Sequence, residues 1–221
     1  MTTDYQRMFN QSAVDYTADF QKQMDAHRAK AAAVRENAET LLGRISERKD
    51  LTPEAARAAA ARIYKPACEQ MRQMLDQHIE KVTQHKQKLA QKAFGSDPTN
   101  DPAKAMMRRQ ARQQAATLTD PDAAKRMLAE AKFDGDVHLA RATAAVAYEN
   151  GWHDVVDAWN SDGSNNASMR SLIEMRQLPD TKDPAWRINT AASYAPPMPG
   201  VLEGMKPHEI SRAAEADIEV N

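Results

Sequence analysis

Bulky apolar side chains are scarce in this sequence of 221 residues: Val, Ile, Leu and Phe together fill 31 positions, and aromatic residues make up 5% of the chain. So low a share is where disorder becomes the default expectation. Its usual companion, a large net charge, is missing, since 30 basic residues face 31 acidic ones. Long Val/Ile-rich runs are also lacking, which excludes the buried parallel sheet of a compact α/β enzyme. The single cysteine, Cys68, allows no internal disulfide framework and has no companions for a zinc site. Met1 to Gln6 carry neither a basic segment nor an apolar one, so no secretory signal is expected. No apolar run approaches the length of a membrane span. A reducing, aqueous compartment follows, cytoplasmic during synthesis.

Alanine replaces the missing aliphatics, with 40 residues, and methionine supplies 12. Alanine is the best helix former, and only seven glycines interrupt the chain, so the expected class is all-α. Alanine buries little apolar area, at about 25 cal/mol per Å², so the core is expected to be thin.

Residues 1–94 read as a long helical hairpin of coiled-coil type. Over residues 3–48 the apolar positions fall at steps of three and four, through Tyr5, Phe9, Tyr16, Phe20, Met24, Ala31, Val34, Ala38, Leu41 and Ile45. Such a helix would be roughly 65 Å long. Its aromatic end, Tyr5, Phe9, Tyr16 and Phe20, is a candidate partner-binding face. Thr52-Pro53-Glu54 carries the marks of a second start, with Thr52 as cap and Pro53 at the first helical position. The second helix should close at Gly95, with Pro66 kinking or splitting it. His78 and His85, seven apart, are expected on one face against another helix.

Residues 95–119 read as a linker followed by a basic helix, opened by Asp101-Pro102. Lys104, Arg108, Arg109 and Arg112 fall at spacings that share a face, a pattern suited to phosphate contacts or to a solvated surface. Residues 120–178 hold the larger side chains, among them Met127, Leu128, Phe133, Val137, Leu139, Val155, Val156, Trp159 and Leu172, and read as a small helical bundle. The turns Asp134-Gly135-Asp136, Asn150-Gly151 and Ser161 to Asn166 separate its helices. The last of these faintly resembles a calcium loop, but Ala158 and Met169 stand where ligand oxygens are required.

Residues 179–221 are expected as an extended arm with a short terminal helix, because six of the eleven prolines fall between Pro179 and Pro207. At about 3.1 Å per residue the stretch from Pro179 to Pro207 would reach about 90 Å. Trp186, Ile188, Tyr194, Met198 and Leu202 are its candidate partner-binding anchors. Charge is divided along the chain: residues 22–132 carry 22 basic and 14 acidic side chains, and residues 133–221 carry 7 and 14. This asymmetry can hold an acidic part against basic helices of the same chain, or order copies head to tail.

No nucleophile elbow, phosphate loop or dinucleotide fingerprint is present, and no catalytic, metal or cofactor residue is assigned. Glu149, Asp154 and Asp157 near Trp152 and His153 read as surface acids around a core anchor. The expectation is an elongated, all-α, non-enzymatic structural or assembly protein: a helical hairpin, a small bundle and an extended proline-rich arm. Its partners would be other protein subunits, as a homo-oligomer or a multi-subunit particle. Rods for lateral contacts and an arm that lashes neighbours suit a repeated subunit. The alanine, arginine and aspartate bias suits a high-GC bacterial genome or one of its phages, so a tailed-phage virion component of minor-capsid, scaffold-like or connector type is expected. The alternatives are a nucleic-acid-binding helical protein using Lys104–Arg112, and a helical adaptor or chaperone using the Tyr5–Phe20 face.

Overall fold

The computed structural model describes residues 4–95 and 101–217, with side chains from residue 18 onward. These residues form nine α-helices and no strand: α1 (Asp4–Glu47), α2 (Pro53–Phe94), α3 (Pro102–Ala115), α4 (Pro121–Phe133), α5 (Val137–Glu149), α6 (His153–Trp159), α7 (Asn166–Gln177), α8 (Pro184–Ala192) and α9 (Pro207–Glu215). A short 3-10 turn at Gly200–Leu202 precedes α9. The all-α class is thus shown. The candidate residues Tyr5, Phe9 and Tyr16 lie outside the residues whose side chains are described.

Helices α2, α3, α4 and α8 start by one device. An Asp or Thr accepts a hydrogen bond from a backbone N–H that has no partner inside the helix, and a proline fills the first position, where its missing N–H costs nothing. Thr52 Oγ1 accepts from the Ala55 N–H at 3.1 Å. Asp101 caps α3 through the Ala103 N–H at 2.9 Å, and Asp120 caps α4 through the Ala123 N–H at 2.8 Å. Helix α2 runs through Pro66 without a break, so the expected split does not occur. At the far end of α4, the Asp136 N–H reaches the Ala131 carbonyl at 2.8 Å, with Gly135 between them at φ 70°. This left-handed glycine stop recurs at Gly151, where the Trp152 N–H reaches the Ala147 carbonyl.

The chain divides into two compact units, residues 1–16 with 85–178 and residues 17–84 with 179–221. The first, the bundle unit, is built around Val155, Val156 and Trp159 of α6, Leu128 of α4 and Leu172 of α7. Alanines of α4 and α5 and Ala93 of α2 fill the space between them. Helix α3 buries Ala111 and Ala115 against Ala142 of α5, which leaves Lys104, Arg109 and Arg112 exposed. Two residues expected in this core are exposed instead. Phe133 is 92% exposed and Val137 65%, because they flank the Gly135 turn at the ends of α4 and α5.

The second unit, here the seam unit, joins α1 and α2 through small residues. Leu42 clusters with Ala60 and Ala61, Ala31 with Met71, and His27 reaches Met74, so the register descends along one helix as it climbs the other. Ala58, Ala59, Ala60 and Ala61 are all buried. Four consecutive residues point around most of a helix's circumference, so α2 is covered there on more than one side. The second cover is the C-terminal segment. Leu202 and Ile210 are buried in the cluster that holds Leu42, Ala60 and Ala61.

The sequence expectation of an extended arm therefore differs from what is observed. Residues 184–192 are helical, and the segment packs on helices of its own unit. Its prolines explain the difference: Pro184 and Pro207 open helices rather than break them, and Pro196 is buried.

Candidate functional site

The most elaborate constellation lies in the seam unit, where the C-terminal segment closes over two histidines. His27 of α1 and His78 of α2 are both buried, a costly placement for polar rings unless their nitrogens are partnered. The His27 Nε2–H donates to the Met74 carbonyl at 2.7 Å, which leaves Nδ1 to accept from the Lys81 ammonium at 3.2 Å. His78 Nδ1 and the Tyr194 hydroxyl are hydrogen-bonded at 2.7 Å. The rings pack edge to face: His78 meets Tyr194 at 5.6 Å between centroids and His27 at 6.2 Å. Trp186 of α8 lies 6.0 Å from His78 on a tilted plane.

Burial pushes the His78 imidazole down to about 4, and the positive charges of Arg28 and Lys81 and the neighbouring His27 add to the shift. His78 is therefore uncharged at neutral pH, and one of its ring nitrogens can accept a proton-donating partner. Burial raises the Tyr194 hydroxyl, opposed by Arg28, which keeps it protonated as that donor. The site is a polar latch between two long helices and the segment that covers them.

The latch continues along α2. The Thr83 hydroxyl donates to the Ile79 carbonyl at 2.8 Å and can accept from the Thr181 hydroxyl at 3.4 Å. Beyond the buried Leu202 and Ile210, the Arg62 guanidinium donates to the Ala214 and Ala216 carbonyls at 3.3 and 2.5 Å. Lys65 pairs with Glu215 at 3.1 Å. Basic residues of α2 thus hold carbonyls and a carboxylate at the end of α9, one of the two arrangements expected from the charge asymmetry.

Sequence-level candidates divide on this geometry. Tyr194 and Leu202 are buried against the chain's own helices, and Trp186 is half-buried against His78. Ile188 and Met198 are 70% and 47% exposed. Phe20 is half-buried. His78 and His85 do not act as a pair: His85 Nε2 meets the buried Glu174 carboxylate at 3.0 Å in the bundle unit. On α3, Lys104, Arg109 and Arg112 are exposed and Arg108 is half-buried.

The acids around Trp152 are dispersed. Asp154 pairs with Lys125 at 3.4 Å, and His153 Nδ1 accepts from Arg176 at 2.6 Å. Burial raises the Cys68 thiol, partly opposed by a hydrogen bond with Tyr64, which disfavours a thiolate. The Asn160–Asn166 turn satisfies its own oxygens: Asn160 Oδ1 accepts from the Asn165 N–H at 2.9 Å, and Asp162 Oδ1 from the Ser164 N–H at 2.9 Å. Among the described residues, no group of three or more His, Cys, Asp or Glu side chains is placed to hold a metal ion, and no helix is long and apolar enough to cross a membrane.

What sequence reasoning missed is the role of His27 and Tyr194 as two sides of one latch. The signal was present in the Ala58–Ala61 run, since four small residues in a row can admit a covering segment on a face already adjacent to a helix. No family model, no curated protein and no solved structure matches this chain.

Proposed function

We propose that this chain is a non-enzymatic structural or assembly component of a larger protein complex, acting through helix packing and its C-terminal segment. The observation that carries the reading is the two-sidedness of that segment. Tyr194, Leu202 and Ile210 anchor it to α1 and α2, while Ile188, Met198 and Val201 of the same segment are exposed. Anchoring one side fixes the backbone in advance and so lowers the entropic cost of presenting the other side to a partner. Apolar residues that the segment's own fold does not use are suited to contacts between subunits. The setting that the composition suggests is a tailed-phage virion, in a minor-capsid, scaffold-like or connector position.

The test is the doubly substituted chain Ile188→Asp, Met198→Asp. Both side chains are exposed, so circular dichroism and melting should be unchanged. Light scattering with cross-linking should show the unsubstituted chain in an assembly and the variant as a free monomer. An unsubstituted chain that stays monomeric and recovers no partner under cross-linking in its native setting would sink the reading.

A second reading has its own support. Helix α3 buries only Ala111 and Ala115 and leaves Lys104, Arg109 and Arg112 in solvent, a positive stripe suited to a nucleic-acid backbone. A mobility-shift titration decides it: binding that weakens steeply with salt would favour this reading.

A further inference from the structure

The end of α2 and the facing sides of α3 and α5 enclose a cleft of about 360 Å³ in the bundle unit. Its polar wall is made by Arg108 and Arg112 of α3 and by His138 and Arg141 of α5. Its apolar floor is the Phe94 ring with alanines of α2 and α5. The volume falls at the lower end of ordinary small-ligand sites, which share this plan of an apolar floor with a few convergent polar groups.

Arg112 and Arg141 bring two guanidinium groups to one cleft, and among the described residues no carboxylate lines it. Among the described residues, neither Arg112 nor Arg141 has a carboxylate within ion-pair distance. Arg141 is nevertheless held in place, since its Nη1 donates to the Gly95 carbonyl at 2.7 Å. Gly95 itself admits no side chain, because a Cβ there would fall 2.1 Å from the Gln91 carbonyl oxygen. The end of α2 is thereby fixed, and the remaining N–H groups of the Arg141 fork are available to a ligand.

Planar guanidinium forks match phosphate oxygens two at a time, which a lysine ammonium cannot do. Of the basic residues of α3, Arg108 and Arg112, four apart, line the cleft, whereas Lys104 and Arg109 are not part of its lining. We propose that this cleft binds a small ligand bearing two or more linked phosphates, held by Arg108, Arg112 and Arg141 with His138 as a further hydrogen-bonding group. This site is independent of the assembly reading and would persist if that reading failed.

The probe is inorganic pyrophosphate, titrated calorimetrically into the full chain at low ionic strength, with inorganic phosphate as the comparison. One-to-one saturable binding is expected, with pyrophosphate at least about tenfold tighter than phosphate. Arg112→Ala, at an exposed position, should weaken pyrophosphate binding about tenfold with unchanged circular dichroism, and Arg141→Lys should do so while keeping the charge. Lys104→Ala and Arg109→Ala remove the same charge outside the cleft and should change affinity less than about twofold. The proposal is overturned if pyrophosphate shows no saturable binding, or if it binds no tighter than phosphate. It is equally overturned if the three charge-removing variants, Arg112→Ala, Lys104→Ala and Arg109→Ala, weaken binding alike, which would mark diffuse charge. Duplex DNA bound more tightly than pyrophosphate, and weakened equally by Lys104→Ala and Arg112→Ala, would assign the helix to nucleic acid instead.

Discussion

The two units of this chain solve one problem, a shortage of bulky side chains, in opposite ways. The bundle unit concentrates what is available. Trp159, Val155, Val156, Leu128 and Leu172 meet in one cluster, and alanines serve as filler between them. The seam unit spreads its apolar residues over long helices, so that no level has more than a few: Leu42 with Leu202 and Ile210 at one, Met71 with Tyr194 at another. It compensates by covering α2 from two sides and by hydrogen-bonding buried polar rings. A core of large side chains depends above all on shape. A seam of alanines and histidines depends on a covering segment and on a protonation state.

The largest expected effect tests the first half of that contrast. Trp159 is buried at the centre of the bundle cluster, where Phe94 packs against its ring at 5.8 Å between centroids. Trp159→Ala should cost about 3–5 kcal/mol through lost burial and the cavity left behind. Native-state hydrogen exchange is the measurement that locates the loss. Amides of α4 to α7 should lose protection while those between Leu42 and Met71 keep theirs. Loss spread evenly over both would mean that the chain unfolds as one body.

The counterpart in the seam unit is Leu202→Ala, at about 2–4 kcal/mol. Leu202 has no exposed surface and sits over Ala60 and Ala61, which are too small to move into the space. Exchange should rise in α9 and around the alanine run, and α6 should be unaffected. A loss below about 0.5 kcal/mol would show that the segment lies on α2 without holding it.

Much of this contrast was legible before any coordinates. The turns at Gly135 and Gly151, the caps at Thr52 and Asp101 and the close of α2 at Gly95 all rest on local rules, in which a residue's backbone preference decides the outcome within a few positions. The fate of the C-terminal segment was not local. Proline density was read as extension, yet Pro184 follows Asp183 just as Pro102 follows Asp101 and Pro121 follows Asp120, and each pair opens a helix. Which face of α2 the segment would cover depends on Tyr194 meeting His78, more than a hundred residues apart, and no local spacing encodes that. The same holds for the cleft: Arg108 and Arg112 were legible as members of one basic stripe with Lys104 and Arg109, but Arg141 joins them only because α3 packs on α5.

Acid should sharpen the comparison further. In the folded chain His78 resists protonation until about pH 4, against an ordinary value of 6.5, chiefly because it is buried. Between those values the unfolded chain binds a proton that the folded chain refuses, so stability falls as the pH drops through this window and is fully present above it. The loss at its lower edge is on the order of 2–3 kcal/mol. Arg28, His27, Lys81 and Tyr194 face the ring and are unchanged by substitution at 78, so the difference between His78→Gln and the parent chain isolates the histidine. Urea unfolding at pH 7 and pH 4.5 should show a smaller pH effect in the variant. Equal slopes would mean that His78 is protonated inside the fold without cost.

The smallest effect concerns Asp183, whose carboxylate accepts from the Ala185 N–H at 2.9 Å at the start of α8. Asp183→Ala leaves that N–H without its cap and should cost about 1 kcal/mol. Helix α8 has nine residues and no fully buried one, so little tertiary packing compensates for a lost cap. Trp186 of this helix packs against His78, and loosening α8 should therefore be visible as a change in tryptophan fluorescence, even where the change in stability is slight. Asp120→Ala is the control in the other unit. It removes the same kind of cap, but α4 is pinned by Ala124, Leu128 and Ala131, so the helix should stay in place and register only the energetic cost. If both variants lose the same free energy and neither alters the emission of Trp186, then α8 is held by more than its cap and one ring, and the C-terminal segment is a tighter part of the seam than its contacts indicate.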